Sequence, residues 1–216
     1  MNATEQQPAA PEARNDGDAK SEVQAQSGDL QTLWSAQCRE ASLAVAQVES
    51  ALPVLQIVAN VVVESLRRGN KVLTCGNGGS AAEAQHFAEE LVGRYKRDRR
   101  SLPAVSLVAD GTLLTCILND YGADEIFARQ VDGLGCAGDI LFGLSTSGNS
   151  SNVLRALERA RARGITTVAL LGRDGGKMRG LADHEIRIEA NATARIQEAH
   201  LLLIHLLCEA IDEAFA

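Results

Sequence analysis

Residues 75–94 read CGNGGSAAEAQHFAEELVGR, and this stretch decides the fold that the sequence predicts. The apolar run 72–75 leads into it and is typical of a buried strand. Its closely spaced glycines favour a tight turn. Ser80 is a good N-cap for the next helix, and Glu83 three residues later would complete a capping box. The stretch therefore predicts a strand, a glycine turn and a helix N-terminus, where free N–H groups and the helix dipole suit a phosphate.

The predicted helix carries a histidine and a glutamate on one face. His86 and Glu90 are four residues apart, at the edge of the apolar stripe that Phe87 and Leu91 define. This spacing fits a solvated helix face as well as a catalytic or metal-binding pair beside a cleft. An anion-binding turn and a His/Glu pair on one short segment together favour an active site.

Four more apolar runs, separated by helical patterns, extend this architecture along the chain. They cover residues 104–109, 139–144, 166–171 and 185–188. Alternating strands and helices need crossover connections, so the predicted fold is α/β, with a parallel sheet of four or five strands, of which the run at 185–188 is the short one. In such sheets, ligands bind at the carboxyl ends of the strands.

Two different segments precede the predicted sheet. Residues 1–28 are polar and almost without large apolar side chains, which predicts a disordered tail. Residues 29–66 show helical periodicity, and Pro53 is expected to divide them into two helices. We expect these helices to take part in oligomerisation. The sequence thus predicts one domain over residues 29–216.

The overall charge narrows the class of partner. The formal net charge is −7 and the isoelectric point is near 5.2, which argues against nucleic acid or an anionic membrane surface as a partner. We expect no membrane-spanning run and no signal peptide. The five cysteines are scattered, which fits reduced thiols in a cytoplasmic protein.

A second polar loop follows the third predicted strand. Residues 145–150 read STSGNS, and their hydroxyl and backbone N–H groups, placed ahead of a helix, suit the oxygens of a phosphate monoester. The alternative is a solvated loop that only caps the helix. Because the first glycine turn ends another strand of the same sheet, phosphate binding by both loops is the favoured interpretation. Neither loop is a nucleotide-binding signature.

The last helix adds candidate acid–base and metal-binding groups. His205 lies within an apolar run, so we expect a buried histidine, with either a structural or a catalytic role. His200 falls on another face and is expected to be structural. His86, Glu90 and His205, with Gln197 as a less usual fourth ligand, would suit zinc.

Two other polar segments have open roles. Residues 119–122, NDYG, are interpreted as a turn-rich patch in which Asp120 either binds a sugar hydroxyl or caps the turn. The basic run 94–100, RYKRDRR, is interpreted as a solvated loop, from which Arg94 could reach a phosphate.

Six motifs in order carry a family resemblance. They are CGNGGS at 75–80, QHFAEEL at 85–91, NDYG at 119–122, STSGNS at 145–150, DGGKM at 174–178, and R-I-Q-E-x-H-x-x-x-x-H at 195–205. Together they resemble the phosphoheptose isomerases, the sedoheptulose 7-phosphate isomerase branch of the sugar isomerase (SIS) domain superfamily. The resemblance extends from about Leu33 to the C-terminus. It implies a flavodoxin-like SIS fold, in which a five-stranded parallel sheet is flanked by helices.

This resemblance also implies an activity and an assembly. The reaction would convert D-sedoheptulose 7-phosphate to D-glycero-D-manno-heptose 7-phosphate, a heptose precursor for lipopolysaccharide biosynthesis. The enzyme would be a homotetramer with active sites between subunits, and it would carry one zinc ion per subunit.

The resemblance assigns roles to individual residues. Glu90 would be the catalytic base and His205 its acid–base partner. The metal ligands would be His86, Glu90, Gln197 and His205. The substrate would contact residues of the glycine turn, the serine loop and the other motifs, namely Asn77, Gly78, Gly79, Ser80, Glu90, Arg94, Asn119, Asp120, Ser145, Thr146, Ser147, Ser150 and Gln197. Ser80 and the four residues of the serine loop would hold the phosphate, and Asn77 and Asp120 the sugar hydroxyls.

The sequence departs from the family pattern at one position. Some relatives have an acid where this chain has Ala194, which removes one expected substrate contact.

Two alternatives stay open, one for the mechanism and one for the function. The isomerisation could proceed with zinc or through a proton shuttle of Glu90 and His205 alone. The competing functional class is a non-enzymatic SIS protein that binds the replication initiator DnaA. Its members lack the acid and the histidine that match Glu90 and His205.

Overall fold

A computed structural model describes residues 16–216, with side chains from residue 29 onward. This part of the chain divides into two compact units, with the boundary between Glu40 and Ala41. The first unit holds the greater part of the first helix. The second unit, residues 41–216, holds the sheet and every predicted site residue.

The described residues form seven α-helices and five strands. In chain order they are α1 (Asp16–Ala46), α2 (Val48–Arg67), β1 (Val72–Gly76), α3 (Gly79–Val92), β2 (Ala104–Ser106), α4 (Gly111–Tyr121), α5 (Ala128–Leu134), β3 (Ile140–Ser145), α6 (Ser151–Ala162), β4 (Thr166–Gly172), β5 (His184–Ile188) and α7 (Thr193–Phe215). Short 3₁₀ turns occupy Ala123–Glu125 and Gly176–Met178.

The sheet is entirely parallel, with strand order β2-β1-β3-β4-β5. The chain leaves β1 toward β2 and then crosses to β3 on the other side of β1. This reversal opens a crevice at the carboxyl ends of β1 and β3, the usual ligand position in a doubly wound fold. The α/β prediction is confirmed, and both polar loops of the sequence analysis emerge beside this crevice.

Side chains alternate between two cores along each central strand. Val72 of β1 faces the layer of α2, α3 and α7, and Leu73 faces the layer of α5 and α6. On β3, Phe142 belongs to the first core, where its ring meets Phe87 of α3 edge-on at 4.9 Å between centroids. Because both faces of the sheet are covered, β1 and β3 are buried along their whole length, as parallel strands usually are.

The N-terminal helices differ from the sequence prediction in two ways. Pro53 lies inside α2 and does not separate the helices; the chain breaks instead at Gln47, where Ser50 Oγ donates to the Gln47 carbonyl at 2.7 Å. Pro53 is the sixth residue of α2, where its missing N–H removes one helical hydrogen bond, and the helix nevertheless continues to Arg67. α1 begins at Asp16, so helix covers the second part of the predicted tail, and residues 1–15 of that tail lie outside the described residues.

Among the described residues, α2 is long and apolar enough to cross a membrane, judged by length and composition alone. This differs from the expectation of no such run. Its apolar character has a local explanation, because nine of its residues, including Leu55, Val58 and Val62, are buried. They pack in the core where α2 meets α7 and β5.

Candidate active site

The first loop of the site joins β1 to α3. Gly78 caps the N-terminus of α3 with a positive φ of 55°, a conformation that favours glycine. The predicted capping box is therefore wrong, because Ser80 already lies within the helix, where it is buried. Glu83 is also buried, and the Ser80 side chain partly opposes the rise that burial causes in the pKa of Glu83.

Gln197 of α7 lies directly against this turn. A Cβ atom added at Gly79 would overlap the amide group of Gln197. A larger residue at position 79 would therefore displace the Gln197 amide from its place against the start of α3. The structure therefore places Gln197 beside the glycine turn.

The second loop follows β3 and begins α6. Ser145 is buried, and its Oγ lies 2.9 Å from Ser150 Oγ. The Ser147 hydroxyl accepts from the backbone N–H of Asn149 at 3.1 Å. The turn after β4 supports the loop from outside, since Lys177 N donates to Asn149 Oδ1 at 3.1 Å. The loop is thus a braced turn at the N-terminus of a twelve-residue helix.

The two loops are joined by a pair of amides. Asn77 Nδ2 donates to Asn152 Oδ1 at 2.8 Å, and Asn152 Nδ2 donates back to Asn77 Oδ1 at 2.9 Å. This contact is possible because β1 and β3 are neighbours, so that their carboxyl ends lie side by side. Two helix N-termini and several hydroxyls therefore meet at one crevice, an arrangement suited to an anion. The role of Asn152 as the partner of Asn77 was not predicted.

A cluster of three functional groups lies further along α3. His86 Nε2 is 3.5 Å from Glu90 Oε1 on the same helix and 3.2 Å from His205 Nε2 on α7. His86 Nδ1 is also 3.5 Å from Glu89 Oε2, an exposed carboxylate. The structure thus brings together the two residues that spacing paired and a histidine 119 positions away.

Burial distinguishes the two histidines of α7. His200 is fully buried, and its ring nitrogen lies 3.0 Å from the Leu171 carbonyl oxygen, which confirms its structural role. His205 is only half-buried, contrary to the expectation of a buried ring. The apolar run around it faces the core on one side of α7, and His205 lies at the edge of that side.

The environment favours the neutral forms of the two acid–base candidates. Burial raises the pKa of Glu90, the nearby Glu89 carboxylate raises it further, and His86 opposes them in part. Burial likewise lowers the pKa of His205, with smaller contributions from His86 and Lys96. The upward shift of the Glu90 pKa and the downward shift of the His205 pKa are of the kind found where a carboxyl and an imidazole serve as acid–base groups.

The cluster also has the spacing of metal ligands. Zinc bonds of 2.0–2.1 Å in a tetrahedron place neighbouring ligand atoms about 3.4 Å apart. The separations of 3.5 Å from His86 Nε2 to Glu90 Oε1 and 3.2 Å to His205 Nε2 fit this value. Among the described residues, the set whose ligand atoms all lie within 4.8 Å of one another is His86, Glu89 and Glu90. Gln197, the fourth expected ligand, lies against Gly79 at the glycine turn. Gly79 precedes His86 by seven residues, which is about 10 Å along the axis of α3.

Three predicted substrate contacts lie elsewhere on the chain. Asn119 and Asp120 are exposed in the last turn of α4, where Asn119 Nδ2 donates to Asp120 Oδ1 at 2.8 Å. Arg94 is exposed in the segment after α3. Within the described residues, no hydrogen bond or ion pair joins any of the three to His86, Glu90 or His205.

One residue beside the cluster was missed by the sequence analysis. The Tyr95 ring stacks on the His205 imidazole, with 5.6 Å between centroids and 23° between planes. An aromatic residue three positions past the end of a helix gives no sequence signal for such a contact. The packing of the following segment on α7 produces it.

Comparisons with known proteins agree with this geometry. The family model of the SIS domain matches residues 38–172. Phosphoheptose isomerase from Alteromonas mediterranea is 58% identical over 163 residues, which are 74% of this chain and 82% of the relative. Phosphoheptose isomerase from Helicobacter pylori strain P12 is 52% identical over 169 residues, 78% of this chain and 88% of the relative.

A solved structure also matches the fold. The phosphoheptose isomerase of Neisseria gonorrhoeae aligns with a TM-score of 0.81 and 44% sequence identity, over 85% of this chain and 99% of that one. Both the sequence and the fold therefore agree with the six motifs and with the cluster on α3 and α7. The chain belongs to the phosphoheptose isomerase family of SIS-domain proteins.

Proposed function

We propose that the protein is a ketose–aldose isomerase that converts D-sedoheptulose 7-phosphate to D-glycero-D-manno-heptose 7-phosphate. The cluster of His86, Glu90 and His205 carries this proposal, because it lies on the helix whose N-terminus forms part of the anion crevice. From Ser80 to His86 is six residues, or about 9 Å along α3. That span is comparable to an extended seven-carbon sugar with its phosphate in the crevice and its first carbons at the cluster.

The phosphate would bind at the two loops. The hydroxyls of Ser145, Thr146, Ser147 and Ser150 surround the N-terminus of α6, and Ser80 adds the start of α3. Backbone N–H groups and helix dipoles complement a phosphate without a lysine or arginine. Binding there is remote from the reacting carbons, so its free energy serves to position them. Asn77, Gly78, Gly79 and Gln197 would line the path from the crevice toward the cluster.

The proton transfers fall to Glu90 and His205. As a carboxylate, Glu90 would take the proton from C1 while the C2 carbonyl oxygen gains a proton, which gives the enediol. Return of the proton to C2, with loss of the proton on O1, gives the aldose. His205 would move the protons between O1 and O2, because a neutral imidazole can both accept and donate.

Zinc fits the same cluster as a proposed cofactor, one ion per subunit. His86, Glu90 and His205 would hold it, since two imidazoles and a carboxylate are a common zinc donor set and His86 Nε2 lies 3.5 Å from Glu90 Oε1 and 3.2 Å from His205 Nε2. When bound, zinc would act as a Lewis acid that polarises the substrate oxygens. The position of Gln197 supports a substrate contact at the turn more directly than a fourth ligand bond.

A homotetramer with active sites between subunits accounts for the remaining expected contacts. α4 exposes Leu113, Leu118 and Tyr121 and buries only Ile117, which is unusual for an amphipathic helix of a monomer. A second copy that covers this face would lie against Asn119 and Asp120 in the last turn of α4, and Arg94 is exposed as well. Exposed Leu33 and Trp34 on α1 offer a further apolar surface for assembly.

The product would be a heptose precursor for lipopolysaccharide. We place the reaction in the cytoplasm, because the described cysteines form no disulfide and the substrate is a phosphorylated sugar. The DnaA-binding alternative finds no support, since Glu90 and His205 are present and lie in one cluster.

The experiment is turnover of sedoheptulose 7-phosphate by the full chain, with the product identified by NMR. The wild type should form the heptose 7-phosphate, and Glu90→Gln should lower kcat by about 10²- to 10⁴-fold, the contribution of a positioned base. Binding of the sugar phosphate to this variant should persist.

Glu89→Gln is the matched control. It removes a neighbouring carboxylate that also lies 3.5 Å from His86 but is largely exposed. It should keep kcat within about threefold of the wild type. No turnover by the wild type, or equal losses in both variants, would contradict the proposed function.

A further inference from the structure

The segment after α3 is held firmly on α7. The basic run at 94–100 was expected to be a solvated loop, yet its backbone and side chains bind the acidic residues near the end of α7. Lys96 Nζ is 3.1 Å from Glu209 Oε1, and Arg97 pairs with Glu213. These outer pairs are exposed and contribute little. The inner contacts are buried.

Arg99 joins the end of α3 to α7. Its side chain is 1% exposed, and its Nε donates to Asp212 Oδ1 at 2.7 Å. The other guanidinium nitrogens donate to the carbonyls of Glu90 at 2.8 Å and Leu91 at 3.0 Å. Carbonyls in the last turn of a helix have no partner within it, so Arg99 caps α3 at the residue that carries the proposed base.

Asp212 is the fixed point of this arrangement. One of its oxygens accepts from Arg99, and the other accepts from the backbone N–H groups of Lys96 at 2.8 Å and Arg97 at 2.9 Å. Burial alone would raise the pKa of Asp212, but these donors outweigh it and hold the pKa below its usual value. The buried Asp212 carboxylate is therefore charged, and both of its oxygens accept hydrogen bonds.

The same contacts set the position of Tyr95. Its ring lies on the face of His205, and the next residue, Lys96, is tied to Asp212 through its backbone N–H. Asp212 and His205 are seven residues apart on α7, two turns along one side of the helix. Asp212 is thus connected to Glu90 through the Arg99 side chain. It is connected to His205 through the backbone of Lys96 and the ring of the preceding residue, Tyr95.

We propose that Arg99 and Asp212 are positioning residues for the isomerase reaction, which hold Glu90 of α3 and His205 of α7 at their working separation. This inference rests on the proposed function. Neither residue touches the substrate, the phosphate crevice or the reacting atoms. Their effect is on geometry, because Arg99 binds the backbone of Glu90 itself and Asp212 orders the segment that bears Tyr95.

A displacement of about 1 Å between reacting groups can cost about 100-fold in rate. Removal of the Arg99–Asp212 contact should therefore lower kcat much more than it alters KM. The phosphate crevice at the other end of α3 stays intact, so substrate affinity is retained. Loss of stability alone would instead reduce the amount of folded enzyme and leave the kcat of each folded molecule unchanged.

The test compares Asp212→Asn with Asp139→Asn in the full chain. Asp139 is the matched control because it is also buried and accepts from two backbone N–H groups, of Lys71 and Cys136, and from one cation, Lys71 Nζ at 2.6 Å. It precedes β3, at the edge of the sheet opposite the crevice. For each variant, kcat and KM are measured at a temperature well below the unfolding transition, with the active protein quantified, and Tm is measured in a separate thermal unfolding experiment.

We expect Asp212→Asn to lower kcat about 10- to 100-fold with KM changed less than threefold, and Asp139→Asn to lower Tm with kcat within about twofold of the wild type. Equal effects of the two substitutions on kcat would overturn the proposal. If Asp212→Asn does not fold, Arg99→Lys decides alone, because lysine keeps the charge but cannot bridge a carboxylate and two carbonyls. Normal kcat in Arg99→Lys would then refute it, whereas an inactive wild type would refute the isomerase function instead.

Discussion

Glu83 offers a test of how the site region responds to pH. The residue lies in the second turn of α3, only 8% exposed, with Oε2 unpaired among the described residues. Burial raises its pKa from 4.5 to about 8, and the Ser80 side chain opposes that shift in part. In the folded protein, Glu83 is therefore protonated at neutral pH, whereas in the unfolded chain it is ionised.

The sign and size of the effect follow from proton linkage. Between pH 4.5 and about 8 the folded state binds one more proton at Glu83 than the unfolded state, so the free energy of unfolding falls as pH rises. The slope is about 1.4 kcal/mol per pH unit, which amounts to about 3 kcal/mol between pH 4.5 and pH 7. Glu83→Gln replaces the acid by a neutral group of the same shape and should remove this loss.

The assay is urea unfolding of wild type and Glu83→Gln at one protein concentration, at half-unit steps from pH 4.5 to pH 8.5. The variant should gain stability over the wild type steadily through this window and keep a constant advantage above it. Glu49→Gln, which removes an exposed carboxylate on α2, should keep the pH dependence of the wild type. A difference between wild type and Glu83→Gln that does not change with pH would refute the reasoning.

Two further substitutions test the proposed zinc site and the proposed phosphate site independently of each other. His86→Asn removes one of three proposed zinc ligands, so the zinc that the protein retains after dialysis should fall to less than about a tenth of an ion per subunit, measured by mass spectrometry. The control His184→Asn on β5 should retain as much zinc as the wild type. Equal zinc in both variants would contradict the proposed site. Ser147→Ala should raise KM about tenfold or more with little change in kcat, since a hydrogen bond to a charged phosphate contributes about 1.5–3 kcal/mol. Ser151→Ala, whose hydroxyl binds Asp124 at 2.5 Å outside the crevice, should leave KM within about twofold, and matching KM values would count against the serine loop.

The fold was largely predictable because its signals are local. Each central strand is a short apolar run that ends at a glycine or serine loop, and the structure places β1, β3 and β4 within about two residues of the predicted limits. β2 is shorter than predicted, since only Ala104–Ser106 pair with β1 at the edge of the sheet. The helix boundary at Gln47 and the Gly78 cap were mispredicted. Proline favours a helix end and serine favours an N-cap position, but these are statistical preferences that the packing of the surrounding chain can override.

The candidate site was predictable only where it depends on spacing within one element. His86 and Glu90 share a face because they are four residues apart on one helix, and the serine loop precedes a helix in any parallel α/β fold. The position of Asp212 did give a sequence signal. It lies four residues after Cys208, on the apolar side of α7, where a charged residue needs a buried partner. Its partner Arg99 gave no such signal, since a basic residue in a polar run is ordinarily solvated.

The sequence by itself determined the central strands, the polar turns that follow β1 and β3, and the shared helix face of His86 and Glu90, because periodicity and turn chemistry act over a few residues. Only the tertiary structure decided that His205, and not His200, meets His86, that Gln197 lies at the glycine turn, and that Arg99 binds both Glu90 and Asp212. Those contacts depend on the rotation and depth at which α7 packs against α3, and both are set by the close packing of the shared core, to which many distant residues contribute.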